Sequence, residues 1–524
     1  MRYPIGIQTF SEMIRGKYVY IDKTDIVWQM ANGAKFTFLS RPRRFGKSLL
    51  SSTLHSYFDG DRALFEGLKI MQYETEWNSY PVLHFDLSTA KSMPTAHDLR
   101  NAIQFQLQPY AEQYGADCSQ PFPGLLLKSI ISRAYQQTGR QVAVIVDEYD
   151  APLLDVLHQD ALLADFRRVM QEFYQPLKAC EPMIRFCFIT GITKFSQLSI
   201  FSTLNNLANI TMDPAFATVC GITEEELTTD LAQSIDTLAA EYECSKDEIH
   251  QKLKLRYDGY HFAGNSKEVY NPFSLLKAFF HKRIDNYWFD TGTPTFLIRQ
   301  MQYFRTDITG MDDIEVPASA FDRPTEAMTT ALPLLYQSGY LTIKGYDRES
   351  LAYTLSIPNQ EVRIGFTEGL LPTYVGLDSA QVQMGFALKL WRALKQKDID
   401  RAMSEMQAYL AGIPYVEGFK KKLAEAALKE GFYEYTLYLI FSMLNVYVRT
   451  QVKCRGGRID MVVQMPDTTY VFDFKTGGAA TKALHQIADR GYDRPYHTEG
   501  RDVVAVGISF DPETMTVKEW RIVE

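Results

Sequence analysis

The sequence predicts an α/β protein built from more than one domain, and three observations carry this reading. Short, fully apolar segments alternate with helical patterns over roughly the first 220 residues, as strands of a parallel sheet do when helices cover both faces. From about residue 222 the pattern turns to helices rich in Glu, Leu and Lys. Beyond about residue 416 strands return, and two of them carry carboxylates among apolar residues. At 524 residues the chain is too long for one ordinary core, and the expected divisions are 1–220, 221–357, 358–415 and 416–524.

Composition narrows the class. The apolar and charged fractions are those of a soluble globular protein. No run of about 18 apolar residues occurs, so no transmembrane helix is expected, and the first residues lack the apolar centre of a signal peptide. Six scattered cysteines, without a C-x-x-C pair or clustered histidines, argue against structural zinc and disulfides and fit a reducing, cytoplasmic location. A formal net charge of −8 excludes coating nucleic acid through bulk charge but leaves room for a local basic groove.

In chain order, the first strands are "KFTFL" (35–39), "VLHFDLS" (82–88), "VAVIV" (142–146) and "RFCFITG" (185–191), with helices such as Lys47–Phe58 and Ala161–Ala179 between them. After the first strand comes "SRPRRFGKSLL", Ser40 to Leu50. It has the Gly46-Lys47-Ser48 ending of a phosphate-binding loop, in which main-chain N–H groups and a helix N-terminus surround phosphate oxygens. Lys47 is expected at the β- and γ-phosphates and Ser48 on Mg²⁺. The glycine that should open such a loop is Arg41 here. Arg41, Arg43 and Arg44 add cationic contacts to the nucleotide or face another partner.

The third strand ends in Asp147-Glu148. Asp147 is placed to hold Mg²⁺ through water and Glu148 to polarise an attacking water. Both loops fall at the C-terminal ends of their strands, where open α/β sheets bind ligands. The fourth strand brings Thr190 or Thr193 forward as a γ-phosphate sensor, and Arg185 is the candidate arginine finger.

These stretches, "YPIGIQTFSEMI", "YVYIDKT", "FLSRPRRFGKSLL" and "VDEYD", resemble the N-terminal domain of bacterial proteins described as AAA-ATPase-like, over roughly residues 1–210. The resemblance implies a P-loop NTPase of the additional-strand type, with ATP as ligand. It also implies that the R-P-R-R-F-G-K-S loop is the group's own version of the motif.

In the middle region "GITEEELTTDL" reads as a helix start, with Thr223 as N-cap and Glu226 three residues on. "RYDGYHF" and "VYNPFSLL" are aromatic-rich, and Tyr257, Tyr260 and Phe262 read as core packing about a turn at Asp258-Gly259, with a lid or nucleic-acid contact as the alternative. Residues 325–357 read as a helix and hairpin like a winged helix, and 380–412 as an amphipathic connecting helix.

The last part reads as a long helix (about 418–444), strands at 446–453, 458–464 and 469–475, a helix at 479–490 and a strand at 502–509. In "YVFDFK" the alternation puts Asp473 and Lys475 on one face, and in "RIDMVV" Asp460 lies opposite its apolar neighbours. Two neighbouring strands can thus aim carboxylates at one spot, which calls for a cation; hard Mg²⁺ prefers such oxygen ligands. Lys475 is placed to orient or stabilise an attacking hydroxide. The alternative is a buried salt bridge of Asp473 with Lys475 or Arg458.

The order of helix, three strands, helix and strand resembles the PD-(D/E)XK nuclease superfamily over about residues 416–510, and implies a restriction-endonuclease-like α/β domain. The resemblance makes Asp460 and Asp473 the metal carboxylates, with Phe474 counted among the metal ligands, and Lys475 the catalytic lysine. It makes Glu434 the acid on the preceding helix and Gln486 a supporting glutamine. The second acid is Asp where many members have Glu. Lys420, Lys421, Lys422, Arg449, Lys453, Arg455 and Arg458 are the cations available for a phosphate backbone. The expected function is an ATP-binding protein whose C-terminal domain cleaves nucleic acid, with DNA favoured, under nucleotide control; the alternative is a non-cleaving switch or scaffold.

Overall fold

Five parallel strands form the centre of the N-terminal half: β1 (Phe36–Ser40), β2 (Val82–Asp86), β3 (Val142–Asp147), β4 (Ile184–Gly191) and β5 (Ala208–Asn209). Their order across the sheet is β2-β3-β4-β1-β5. In this computed structural model all positions are described except 158, 195–200, 202, 203, 205, 290–296, 298, 299, 302, 305, 307–310, 324–327, 367–379, 412–432, 434–436, 438–446, 455, 456, 498, 499, 515 and 524. The chain divides into two units, the first Met1–Trp288 with Glu315–Asn359, the second Phe289–Ile314 with Gln360–Glu524.

The continuous apolar strands predict a sheet covered on both sides, and β4 shows it residue by residue. Cys187 and Ile189 join a core with α2 (Ala96–Tyr114), α3 (Pro123–Thr138) and α4 (Asp160–Ala179) through side chains such as Leu107, Leu127 and Phe173. Phe186, one residue out of phase, stacks on Phe58 of α1 (Lys47–Asp59), with ring centroids 5.2 Å apart. Because β4 lies between β1 and β3, the phosphate-type loop and the Asp147-Glu148 corner leave strands two places apart, both at the C-terminal end of the parallel sheet.

The first unit also takes in most of the middle region. Short helices at Glu224–Thr229, Ala232–Glu241, Lys246–Tyr257 and Pro272–His281 share a core of Leu227, Leu238, Leu253, Tyr257 and Leu275. Thr223 and Glu226 close the capping box read from the sequence: Glu226 N donates to Thr223 Oγ1 and Thr223 N to Glu226 Oε2. Helix Leu332–Gln337 is followed by the antiparallel hairpin of β6 (Thr342–Asp347) and β7 (Ala352–Ser356).

The second unit holds a mixed sheet of β8 (Tyr447–Cys454), β9 (Gly457–Gln464), β10 (Thr468–Thr476), β11 (Asp502–Phe510) and β12 (Val517–Val523), in that order. All neighbours are antiparallel except β10 and β11, whose parallel pairing needs a crossover. Helix α7 (Ala480–Arg490) supplies it, burying Ile487 against Val471 and Ala505. At Gly507 a Cβ would fall 2.5 Å from the Ala480 carbonyl oxygen, so the helix lies this close to β11 because that residue is glycine. The stretch read as one connecting helix is two, α5 (Ala380–Lys395) and α6 (Ile399–Ala411). Lys397 breaks the run with a φ of 57°, and Asp398 accepts a hydrogen bond from Arg401 N at 3.0 Å, starting the next helix. The helix expected at 418–444 falls almost wholly outside the described residues, Glu434 and Lys420–Lys422 included.

Candidate nucleotide and metal sites

Gly46, with a φ of 93°, turns the chain from the loop into α1. Lys47 is 6% exposed, and its Nζ donates to the carbonyl oxygens of Arg41 and Pro42 at 3.0 Å each. Burial lowers its pKa, while Asp147, Glu148 and Asp150 hold the charge in place. Ser48 donates its hydroxyl hydrogen bond to Asp147; burial raises the Asp147 pKa and that hydrogen bond, with Lys47, opposes the rise. Lysine, serine and aspartate therefore meet at one point, as the spacing suggests. Burial alone would raise the Glu148 carboxyl, but Lys91, Lys47 and Arg43 hold it below the ordinary value; its oxygen lies 2.9 Å from Lys91 Nζ.

The three loop arginines divide their roles. Arg41, 1% exposed, turns away from the loop and donates to the carbonyls of Ser40 (2.9 Å), Thr211 (2.8 Å) and Phe216 (3.0 Å). Its guanidinium also lies 4.3 Å above the Phe262 ring. Arg44 has a φ of 68°, donates to Tyr287 O at 2.7 Å and stacks on Phe273. Arg43 is exposed on the loop. Phe45 packs edge-on against Tyr260 and Phe262, with centroids at 4.7 and 5.2 Å. The "RYDGYHF" aromatics are therefore core, and the core they form is the back of the phosphate-type loop.

Thr190 is fully buried and its hydroxyl donates to Leu39 O at 2.7 Å, stitching β4 to β1. Thr193 is held by Asp150, whose Oδ2 accepts from both its N and Oγ1 at 2.6 Å. Arg185 donates to Ala31 O and Asn32 Oδ1. It stands at the N-terminal end of β4, roughly 20 Å along the strand from the loop edge, too far to serve as a finger in the same chain. Asp150 and Lys91 are the residues the sequence reading missed. Asp150 sits in the quoted "VDEYD", whereas nothing in the sequence links Lys91 to Glu148.

In the second unit the β9–β10 ladder runs from Gln464–Thr469 to Met461–Phe472. One further step sets Asp460 across from Asp473, on the face opposite Met461 and Phe472. Asp460 Oδ2 accepts the Phe474 N–H at 2.7 Å. The Asp473 side chain is fully buried; Lys475 Nζ donates to its Oδ2 at 2.6 Å and Gln486 Nε2 to its Oδ1 at 3.1 Å. Lys475 also donates to the Phe474 carbonyl at 2.9 Å. Burial, with the Asp460 carboxylate beside it, pushes the Asp473 pKa up to about 7 against the pull of Lys475. Four of the five residues expected here, Asp460, Asp473, Lys475 and Gln486, thus form one contact network, and the fifth, Glu434, lies outside the described residues.

Among the described residues no three His, Cys, Asp or Glu side chains cluster as metal ligands. The donor set is two carboxylates and the Phe474 carbonyl, all oxygen, with one carboxylate disfavoured in its charged form. That set fits Mg²⁺, which binds through one or two carboxylates and keeps several waters. Of the surrounding cations, Arg458 is exposed at the start of β9, and Arg455 lies outside the described residues.

Residues 4–201 match the family model described as predicted AAA-ATPase, and residues 428–520 match the PD-(D/E)XK nuclease superfamily. An "Uncharacterized protein in vnfD 5'region" of Azotobacter chroococcum mcd 1 is 33% identical over 529 residues, covering 98% of each chain. No described helix is long and apolar enough to cross a membrane.

Proposed function

Because this chain belongs to the family that joins a predicted AAA-ATPase domain to a C-terminal PD-(D/E)XK nuclease superfamily domain, we propose that it is an ATP-gated, Mg²⁺-dependent phosphodiesterase acting on nucleic acid, DNA in the first place. The observation that carries the reading is the pairing of Asp460 and Asp473 beside Lys475. Two carboxylates facing each other, one of them fully buried, are unfavourable with the single Lys475 ammonium as their balancing charge. When bound, Mg²⁺ supplies Lewis-acid activation of water and neutralises charge at the phosphate. Asp460 and Asp473 would hold it, with the Phe474 carbonyl. Gln486 fixes the rotation of the Asp473 carboxylate, and the Phe474 N–H fixes Asp460. Lys475 has an ammonium group placed to orient the attacking water and to stabilise the negative charge growing on the phosphate oxygens.

At the other site ATP phosphates take the place of the Arg41 and Pro42 carbonyls as partners of Lys47, at the N-terminus of α1. Ser48 and Asp147 would hold Mg²⁺ there, and Glu148 is the candidate to polarise water for hydrolysis. Two of the three points where the chain passes between units support gating. Trp288 packs 6.4 Å from Tyr260, and Asn359 Nδ2 donates to Asp258 O at 2.8 Å, so both rest on the motif behind the loop.

The test is cleavage of plasmid, single-stranded DNA and RNA by the full chain with Mg²⁺, with and without ATP. Cleavage that Asp473→Ala abolishes is expected; absence of cleavage on every substrate removes the proposal. The 2.6 Å Lys475–Asp473 pair favours a second reading, a non-cleaving switch that keeps these residues as a salt bridge. Calorimetry with Mn²⁺ separates the two: metal binding lost in Asp460→Ala belongs to the enzyme, and no metal binding belongs to the switch.

A further inference from the structure

Helix α7 has two faces. Ala480, Ala483 and Ile487 are buried, while Lys482, His485, Asp489 and Arg490 are exposed. A spacing of i, i+3, i+7 and i+8 gathers the exposed side chains along one side of the helix. Beside them lies a groove of about 420 Å³, lined by these four, by Gln486 and, from outside the helix, by Gly457 and Tyr492. The volume falls at the lower end of the range for small-molecule sites and leaves room for one nucleotide unit.

The groove opens next to the paired carboxylates. Gln486 belongs to both places: its side chain lines the groove and its Nε2 donates to Asp473 Oδ1 at 3.1 Å. Gly457 starts β9, the strand that carries Asp460. Its φ of 138° favours glycine, and a Cβ there would fall 2.8 Å from the Tyr492 hydroxyl oxygen. The Tyr492 ring is buried with Ile459 and Ile487, so the core of the domain fixes the groove floor.

Charge decides what the groove takes. Lys482 and Arg490 outweigh Asp489, whereas the neighbouring site presents two carboxylates against the Lys475 ammonium. A nucleic-acid strand meets repulsion at the carboxylates, and the cations that offset it sit in the groove. Among the described residues the Lys482 ammonium pairs with no carboxylate, so a phosphate that reaches it breaks no ion pair. His485 and the Tyr492 hydroxyl add hydrogen-bonding groups, and Asp489 repels a second phosphate. We propose that this groove holds the phosphodiester next to the cleaved one on a single nucleic-acid strand, with Lys482 and Arg490 positioning the strand. The inference rests on the proposed cleavage at Asp460 and Asp473.

Fluorescence anisotropy of a labelled single-stranded deoxyoligonucleotide, with the full chain and with Ca²⁺ in place of Mg²⁺, reads the contact without requiring turnover. The expected result for Lys482→Ala is affinity lowered about tenfold and a salt dependence shallower by about 0.7 in log–log slope, the share of one phosphate contact. Lys482→Arg keeps the charge and binds within about twofold of the wild type. Asp489→Asn binds several-fold more tightly, a gain that damage to the fold does not produce. Mn²⁺ binding by calorimetry is the same in all three variants as in the wild type. Wild-type affinity and slope in Lys482→Ala overturn the inference, as does a wild type that binds no oligonucleotide. Displacement of the oligonucleotide by an equal concentration of thymidine monophosphate also overturns it, because the groove is then a free-nucleotide site. Should Lys482→Ala lose Mn²⁺ binding as well, Asp489→Asn decides, and affinity unchanged or weakened there overturns the inference. Strand binding that depends on Lys482, without cleavage of any substrate, keeps the groove and removes the cleavage reading; cleavage with all variants equal to the wild type does the reverse.

Discussion

Replacing Asp473 with asparagine removes a charge from a fully buried side chain while preserving its shape. The carboxyl is shifted from 3.8 to about 7, and each unit corresponds to about 1.36 kcal/mol. Its folded pKa lies above its unfolded one, so the folded chain binds the extra proton between these values and stability falls as pH rises through that window. At pH 8 the ionised carboxylate therefore costs about 4 kcal/mol relative to the unfolded chain. Asparagine avoids that cost and keeps its carbonyl for Gln486 Nε2, but its amide faces the Lys475 ammonium, donor to donor, at about 1–3 kcal/mol. The net expectation is a second unit more stable by roughly 1–3 kcal/mol at pH 8, with the gain gone by pH 5. Amide hydrogen exchange in β9 and β10 of the full chain reads this locally, as protection increased roughly tenfold in Asp473→Asn at pH 8. Added Mg²⁺ should then protect the wild type and leave the variant unchanged. Faster exchange in the variant at pH 8, or equal protection of both by Mg²⁺, would refute the view that these carboxylates await a cation.

Lys47→Ala should abolish the thermal stabilisation by ATP, about 2.7 kcal/mol for the wild type at a hundred times Kd, as read by melting of the full chain. Arg41→Gly restores the glycine of an ordinary phosphate-binding loop, yet it strips partners from Thr211 O and Phe216 O, so denaturant unfolding should show a loss of about 3–5 kcal/mol and ATP affinity should fall. Gln486→Ala should lower cleavage or metal affinity by about 10–100-fold while leaving the ATP response intact. Trp288→Leu should leave ATP binding and basal cleavage in place but weaken the effect of ATP on the cleavage rate, since its ring packs on Tyr260.

Much of this was legible because local pattern and burial agree. The strands after Lys35 and Gln141 were visible as apolar runs, and they are buried on both faces. Asp460 and Asp473 were visible as a pair because strand alternation fixes their face and the short "MPDTT" turn fixes their register. What escaped was set by long-range contact. Residues Ala208–Asn209 form a strand two residues long, recognisable through its pairing with Thr37 and Phe38 but not by any period. Thr190 read as a sensor because it ends a strand near the loop; its hydroxyl instead satisfies Leu39 O inside the sheet, a partner 151 positions away. The break at Lys397 interrupts an amphipathic pattern that continues on either side, so periodicity alone joins the two helices.

The missing glycine at position 41 changes what the loop is attached to. In a glycine-opened loop the main chain curves around phosphate by its own freedom. Here positive φ falls to Arg44 and Gly46, and the curve is held from behind by side chains: Arg41 on Thr211 and Phe216, Arg44 on Tyr287 O, Phe45 between Tyr260 and Phe262. Lys47 holds it from within through the Arg41 and Pro42 carbonyls, the bonds that the phosphates of the proposed nucleotide would replace. A loop anchored in this way cannot rearrange around a ligand without disturbing the aromatic cluster behind it, since packed interiors shift between discrete arrangements rather than flexing freely. Trp288 and Asn359 belong to that cluster or bond to it, and each is the last residue before the chain enters the second unit. Arginine in place of glycine therefore ties the loop to the aromatic cluster behind it, the attachment that the proposed nucleotide control would act through.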